Sequence, residues 1–590
     1  MGTQSSDTRL VTKLFFRLLP LQILLELISA VSGIISSLFA GNFIGAEAMA
    51  AIGLYNPIKK LISAASAVFV CGAQISCGRY MGANQVARTQ SVFTTDLLVT
   101  GAISMIASAL LFLAPATDMT RIMVSETAVR MSLNRGLMGQ ALGIPALLLG
   151  WQLSAFLPLE NQSRRVTIAS LCNIAVKLVF SYLFVVVLDL DIFGLSLATS
   201  LGNWAFLLVQ IQYYFSGKSV LKLSKVGARL KDAAEIVKTG YTGAVNNGYQ
   251  TLRGFIVNAL ILRFVGSAGL SACAAADSVL NLFWTIPSGI LAVSRMLMSV
   301  NIGEEDRQSL TDTMRVSLFK CIPLMCCVSA ALIASAVPLT RLFFRDPADP
   351  VFQMTVAAFR IIPLCMPLSI VLLQFSCYAQ VSGKQFMIHL LSALDGVVCM
   401  ACFSALLLPL LGMNGFYIAY VLNGIACIAA IIAYAWIKQK KFPRNMEQLM
   451  VIPDDFGVGE SDRMDISIRE KEDVVNVSQQ VMDYCRKRGL DEMRAYLSGL
   501  FLEEMAGNVV EHGFNKDRKS HSVDIRVVFK NDDVILRIKD DCIPFNPAEW
   551  QDIHDPKDRM KGVGIRMVYQ GAKDVKYQNI LGLNVLTIRI

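Results

Sequence analysis

Between residues 15 and 437 the chain alternates long apolar runs with short polar breaks. The runs are of bilayer-spanning length, which is about 20 residues for a helix. They fall near 15–40, 50–77, 92–116, 137–159, 166–188, 192–215, 241–264, 271–299, 315–339, 353–376, 385–411 and 414–437, which predicts twelve transmembrane helices. Beyond residue 460 the pattern changes. M-D-I-S-I-R-E (464–470) alternates with period two, 472–489 and 492–512 have helical spacing, and 521–530 and 533–539 form a hairpin across N-D-D. A helix near 562–571 and strands near 573–578 and 583–590 complete the order β-α-α-β-β-α-β-β, a sheet covered by helices on one face.

Composition agrees with this division. Of 590 residues, 54% are hydrophobic and 17% charged, with mean hydropathy +0.51, against roughly 25% charged in soluble domains. The charges concentrate after residue 450. The net charge of +9 fits basic cytoplasmic loops rather than a nucleic-acid surface. Arg9, Lys13 and Arg17, then Arg79 and Arg88, Arg164 and Arg165, the cluster Lys218–Lys238, and Lys438–Arg444 all fall on one side. Both termini are therefore expected in the cytoplasm, in a multi-pass protein of the inner (plasma) membrane. The other side is nearly devoid of Lys and Arg except for Arg121, Arg130, Arg135, Arg341 and Arg345. Twelve of the 14 cysteines precede residue 440 without paired zinc spacing and are expected as small buried apolar groups. No cleavable signal is expected.

The apolar part repeats itself. F-I-G-A-E-A-M-A-A (43–51) matches F-V-G-S-A-G-L-S-A (264–272), and the same offset relates Gly82 to Gly303, Gly194 to Gly415 and Ala198 to Ala419. Six spans per repeat give two lobes of the same orientation, with a substrate cavity between them. The expected units are 1–230, 231–440, a linker 441–462 and a cytoplasmic domain 463–590. Ionisable residues inside spans are functional candidates by default. Glu26, Asp277 and Asp395 are candidate proton carriers. Lys59 and Lys60 are candidates for contact with an anionic substrate or for pairing with Glu26. Lys177, Arg253 and Arg360 also fall in spans. For each, the bland alternative is a snorkelling or structurally paired side chain. S-G-K-S (216–219) lacks the first glycine of a P-loop, since position 212 is Gln.

G-N-F-I-G-A-E-A-M-A-A-I-G-L-Y-N-P-I, followed by C-G-R-Y-M-G-A-N, resembles the start of a MATE (multidrug and toxic compound extrusion) transporter over about residues 10–437. The resemblance implies a twelve-helix, two-lobed exporter of small organic compounds, driven by H⁺ or Na⁺. Many members carry an acid in the first helix where this chain has Ser36 and Ser37. In the tail, E-E-M-A-G-N-V-V-E-H-G (503–513), D-D-C-I-P-F-N-P (540–547) and K-G-V-G-I-R-M-V (561–568) resemble the three boxes of the GHKL ATPase fold, of the anti-sigma-factor serine kinase type. That resemblance implies ATP and Mg²⁺ as cofactors. Asn508 would hold Mg²⁺, Asp540 would accept the adenine amino group, and Gly562 and Gly564 would lie under the phosphates. Glu504 would be the general base and His512 would shape the pocket. Helical spacing places Glu504, Asn508 and His512 on one face. Two positions depart from the pattern: Cys542 replaces a glycine, and Lys561 replaces another. No phosphoacceptor histidine precedes Glu504.

The sequence therefore supports a cation-coupled exporter with an ATP-binding regulatory tail, open to a cytoplasmic regulatory protein as partner. The alternatives are a membrane-tethered serine/threonine kinase or anti-sigma-like switch, and a lipid-linked glycan flippase.

Overall fold

The computed structural model describes residues 9–117, 120–123, 126–217, 219–223, 229–344, 346–458, 462–468, 470–514, 521–530, 533–549 and 562–590. The first lobe contains α1 (Arg9–Phe39), α2 (Ala46–Gly82), α3 (Val86–Leu113), α4 (Thr127–Ala141), α5 (Ile144–Phe156), α6 (Ser163–Ser181) and α7 (Asp191–Phe215). The second contains α8 (Leu230–Phe264), α9 (Ser267–Gly303), α10 (Arg307–Phe319), α11 (Cys321–Ala334), α12 (Pro350–Ile361), α13 (Cys365–Ser382), α14 (Gln385–Ala393), α15 (Cys399–Leu411) and α16 (Met413–Gln439).

Among the described residues, ten helical segments are long and apolar enough to cross a membrane, and α4 with α5 forms an eleventh, bent by 49°. The remaining pass, α8, is 35 residues long but too polar to qualify. Its sequence T-G-Y-T-G-A-V-N-N-G-Y-Q-T-L-R-G presents amides and Arg253 in mid-helix. Hydropathy alone thus undercounts a helix whose polar side chains serve neighbouring helices. The outer surface of the bundle is apolar and exposed, as at Leu110, Val179, Phe255 and Leu410, which suits a lipid environment.

The repeat is a backbone symmetry. The α2 and α9 helices are both 37 residues long, and each follows a glycine at positive φ, Gly45 at 124° and Gly266 at 90°. Each is followed by a left-handed residue at the equivalent position of the next turn, Asn84 at 54° and Glu305 at 53°. The lobes meet where the carboxyl ends of these two helices cross. A Cβ at Gly82 would collide with the Val300 carbonyl, one at Gly303 with the Arg79 carbonyl, and one at Gly78 with Ser299. Val300 is the repeat mate of Arg79, so the Gly82 and Gly303 contacts are the same contact made twice across a twofold axis. Residues 72–78 are all buried, whereas many residues in the first half of α2 are partly or fully exposed. The bundle is therefore closed at one end and splayed at the other.

The tail sits on the closed end. It comprises α17 (Met446–Met450), β1 (Arg463–Ile468), α18 (Asp473–Lys487), α19 (Glu492–Asn508), β2 (Val523–Lys530), β3 (Asp533–Asp540), α20 (Val563–Gly571), β4 (Asp574–Ile580) and β5 (Leu583–Arg589). The antiparallel sheet has the order β1-β2-β3-β5-β4. Ile525, Val527, Leu536, Ile538 and Ile588 point from one face of the sheet into a core with Val477, Val481, Phe501 and Leu502 of the helices. The Asp491 side chain caps α19 by accepting from Arg494 N–H at 3.0 Å. The opposite sheet face carries Arg526, Arg537 and Lys539 and faces the bundle. Period-two alternation marks that face as a solvent face, but the membrane part covers it.

Candidate nucleotide site and intramembrane clusters

Two helix ends and one strand end converge in the tail. At the start of α20, Gly562 is left-handed with φ 64°, which a side chain tolerates poorly. One residue on, Gly564 packs directly on the Glu504 carboxylate, and a Cβ there would overlap it. Glu504 of α19 thus lies against the amino end of α20, where unpaired N–H groups attract anions. Asn508 follows one turn later and is half-buried.

The helix does not continue regularly to His512. Residues Val509–Gly513 form a π turn, which is wider than an α turn. His512 is exposed. Gly513 closes this turn against Cys542, whose Sγ would lie 2.9 Å from a Cβ at 513. The cysteine that replaces the expected glycine therefore packs on the π turn. Lys561 lies outside the described residues.

Asp540 ends β3 and is buried. Its Oδ1 accepts from Asn584 Nδ2 at 2.7 Å and from Cys542 N–H at 3.0 Å. Burial raises its carboxyl above the ordinary range, and these two hydrogen bonds oppose the rise. Asn584 in turn accepts from the Tyr577 hydroxyl at 2.7 Å. Neither Asn584 nor Tyr577 was expected from the sequence, because they come from β4 and β5 and only strand pairing brings them to Asp540. The next residue, Asp541, binds His521 at 3.0 Å and forms an ion pair with Lys13 of α1. Burial would raise the Asp541 carboxyl, but Lys13 and His521 hold it below the ordinary range. The site fits ATP with Mg²⁺: a left-handed glycine and a second glycine without room for a side chain open a helix, a carboxylate stands beside them with an amide one turn further along its helix, and a buried aspartate lies at a strand end. Bound there, ATP with Mg²⁺ would supply a transferable or hydrolysable phosphoryl group.

In the first lobe, Lys177 of α6 is buried and donates to the Ser32 carbonyl at 2.6 Å and the Ser32 hydroxyl at 2.8 Å. Lys59 of α2 is its electrostatic neighbour and is exposed. The side chain of Lys60 lies outside the described residues. Ser36 and Ser37 direct their hydroxyls to carbonyls one turn back, at 3.4 and 3.3 Å. In the second lobe, Asp395 sits in a π turn, Leu394–Val398, between α14 and α15. It accepts from Gln250 at 2.9 Å and from Asn423 at 2.8 Å. Asp277 has Arg253 as its electrostatic partner, and Arg253 lies 5.8 Å from the Tyr420 ring. Glu26 faces Arg295 of α9 electrostatically, and no Glu26–Lys59 ion pair occurs among the described residues. Arg295 gives no signal in the sequence because it sits in a run of small and sulfur-bearing residues. Asp96 of α3, likewise unmarked in the sequence, is fully buried with neither oxygen hydrogen-bonded among the described residues.

A profile of the MatE family matches residues 23–183 and 244–406, more than half of the chain. The protein belongs to the MatE family. A second profile, the histidine kinase-like ATPase domain, matches residues 469–590. None of the curated proteins matches the sequence. Among solved structures, this MATE chain is similar to an outward-facing multidrug resistance MATE transporter of the MOP superfamily, with 17% identity, TM-score 0.66, and coverage of 75% of this chain and 97% of that one. It is also similar to a MOP superfamily transporter from Pyrococcus furiosus described by the reverse polarity of its binding pocket, with 16% identity, TM-score 0.67, and coverage of 76% and 99%. The Vibrio cholerae MATE transporter VcmN in its bent form matches at 14% identity and TM-score 0.67, covering 72% and 97%. At these identities the likeness establishes the fold. The MATE match spans both lobes, and the ATPase match covers β2 to β5 of the tail sheet and stops just short of β1.

Proposed function

We propose that this MATE protein exports small organic compounds across a plasma membrane in exchange for H⁺ or Na⁺, with its tail in the cytoplasm binding ATP and Mg²⁺ as a regulator. The observation that carries the transport reading is the acid–amide cluster inside the second lobe. Asp395, with Gln250 and Asn423, offers an oxygen-rich cluster in the second lobe, which suits a proton or a hard cation. The first lobe has serines at 36 and 37 and lysines at 59 and 177, and its Glu26 is faced by Arg295, so cation coupling is assigned to the Asp395 side. The lysines favour substrates with an anionic group. The basic loops at the tail-bearing end support a cytoplasmic tail.

In the tail, Asn508 is the Mg²⁺ holder, Asp540 the acceptor of the adenine amino group, and Gly562 with Gly564 the phosphate cradle. ATP is assigned a regulatory role because export of this class runs on ion gradients. The place of Glu504 beside Gly564 supports a second reading, a protein serine/threonine kinase with Glu504 as base. Proteoliposomes containing the full chain test the first reading. Efflux of an anionic dye should follow an imposed H⁺ or Na⁺ gradient and be lost in Asp395→Asn. Efflux indifferent to both gradients would overturn it. Transfer of labelled phosphate to a protein hydroxyl, lost in Glu504→Gln, would establish the second.

A further inference from the structure

The turn that joins α2 to α3 reads G-A-N-Q at 82–85, and its repeat mate joining α9 to α10 reads G-E-E-D at 303–306. The backbone of the two turns is the same, down to the left-handed residue, but one copy is neutral and the other carries three acids. The acidic copy is where the tail docks. Lys539 donates to Glu304 at 2.5 Å and to Asp306 at 2.9 Å, Arg537 donates to the Glu304 carbonyl at 3.1 Å, and Arg526 forms an ion pair with Asp306. Arg463 of β1 adds a contact to Gln308 at 2.6 Å. Arg526 and Arg537 are direct cross-strand partners, an unfavourable pairing by itself, which the acids of the second lobe offset.

The other edge of the tail holds the first lobe. The β4–β5 turn donates Leu581 N–H to the Leu159 carbonyl at 2.9 Å, and Gly582 lies against Asn161. Lys13 of α1 reaches Asp541, and Arg17 of the same helix donates to Asn161 at 2.9 Å. Both sets of contacts flank the end where the lobes close on Gly78, Gly82 and Gly303. Three consecutive residues tie this bridge to the nucleotide site. Lys539 holds the second lobe, Asp540 is the adenine acceptor, and Asp541 holds the first lobe. Asn584, which orients Asp540, belongs to the β-hairpin whose turn touches Leu159.

We propose that the tail is a clamp across the two lobes, and that ATP binding and closure of the tail-bearing end favour one another through residues 539–541. This rests on the reading of the tail as an ATP site. The physical basis is linkage. The lobes can separate at this end only by breaking one side of the bridge, which releases Lys539 or Asp541 and loosens the acceptor between them. A nucleotide that needs Asp540 in place binds the closed form better and therefore stabilises it by the same factor. The divergence of G-E-E-D from G-A-N-Q explains why one lobe supplies the acidic dock while the other is held at its α1 and Leu159–Asn161 edge.

The test uses the full chain in detergent or nanodiscs, with a fluorescent ATP analogue and Mg²⁺. The variants are Lys13→Gln on the first lobe, Glu304→Gln with Asp306→Asn on the second, and Asp540→Asn as the site control. Hydrogen–deuterium exchange is followed at residues 78–85 and 299–306. The expected result is that both lobe variants weaken nucleotide binding about 5-fold or more, the lower end of typical coupling, and that nucleotide slows exchange at the two turns in the parent but not in the variants. If the parent binds nucleotide and both lobe variants match its affinity and its exchange response, the clamp is overturned while the ATP site stands. If the parent binds no nucleotide, the ATP reading and the clamp fall together. Normal size-exclusion behaviour and dye efflux by the variants separate lost coupling from misfolding.

Discussion

Lys539 Nζ lies 2.9 Å from Asp306 Oδ2 although the residues are 233 positions apart, and the carboxylate is 1% exposed. Two further cations, Arg526 and Arg537, face the same carboxylate. Burial alone would raise the Asp306 carboxyl, but these three cations hold it well below its ordinary range. Asp306→Ala would leave Lys539 with Glu304 alone and Arg526 with Asp465 alone, so the loss is expected to stay below the roughly 3–5 kcal/mol of a fully broken buried pair. The expected outcome is undocking rather than a lost bundle: protease cleavage within 441–462 accelerates while the helical circular dichroism of the membrane part is kept.

The pH dependence of docking follows from the same depressed carboxyls, Asp306 and Asp541. A carboxyl with a lowered native value contributes its full stability above the unfolded value, about 3.9. That contribution is lost as pH falls through the native values. Linker proteolysis should therefore be unchanged between pH 8 and pH 5 and should rise only below about pH 4.

Nucleotide affinity should respond at milder acidity. Asp540 is raised by burial, and only its ionised form accepts from an amino group with full strength. Binding of the ATP analogue should weaken as pH falls toward a point above the ordinary aspartate range. Asp540→Asn should reduce affinity at least about tenfold, the equivalent of one lost charge-assisted hydrogen bond, and remove this pH dependence.

Gly564→Ala tests the cradle. The new methyl group would overlap the Glu504 carboxylate, so overpacking of about 1–3 kcal/mol is expected. Calorimetry should show a lower melting temperature for the tail. Removing the carboxylate with Glu504→Ala should restore most of it.

Gly82→Val and Gly303→Val each place a side chain into a carbonyl of the facing lobe. Each should block closure of the tail-bearing end and abolish dye efflux. Because the two positions are symmetry mates, their effects should be alike, and the double variant should lose little more than either single one.

Some of this was legible in the residues. The twelve-pass plan followed from apolar run lengths, since a bilayer forces hydrogen bonds to close within each helix. The α8 segment was counted among the apolar runs at 241–264, although its composition falls short of an apolar span. Glu504, Asn508, Asp540, Gly562 and Gly564 were singled out by the resemblance of three short boxes, and the structure brings Glu504 and Gly564 of two of them into contact. The π turn at Val509–Gly513 was not expected, because such a turn has no signature in a list of residue types. Asn584, His521, Arg295 and Asp96 were missed because their importance comes from partners distant in sequence.

The sequence by itself determined the elements, because hydrophobic period and length decide helix, strand and span locally, and it determined the duplication, because a repeat is a property of order. It also held the acidic turn at 303–306, without indicating what that turn was for. Tertiary structure decided the rest. Arg526, Arg537 and Lys539 alternate like solvent residues, and only docking turns them into the counter-charges of Glu304 and Asp306. Ion pairs over such separations are set by how the tail sits across the two lobes, and no local pattern encodes that.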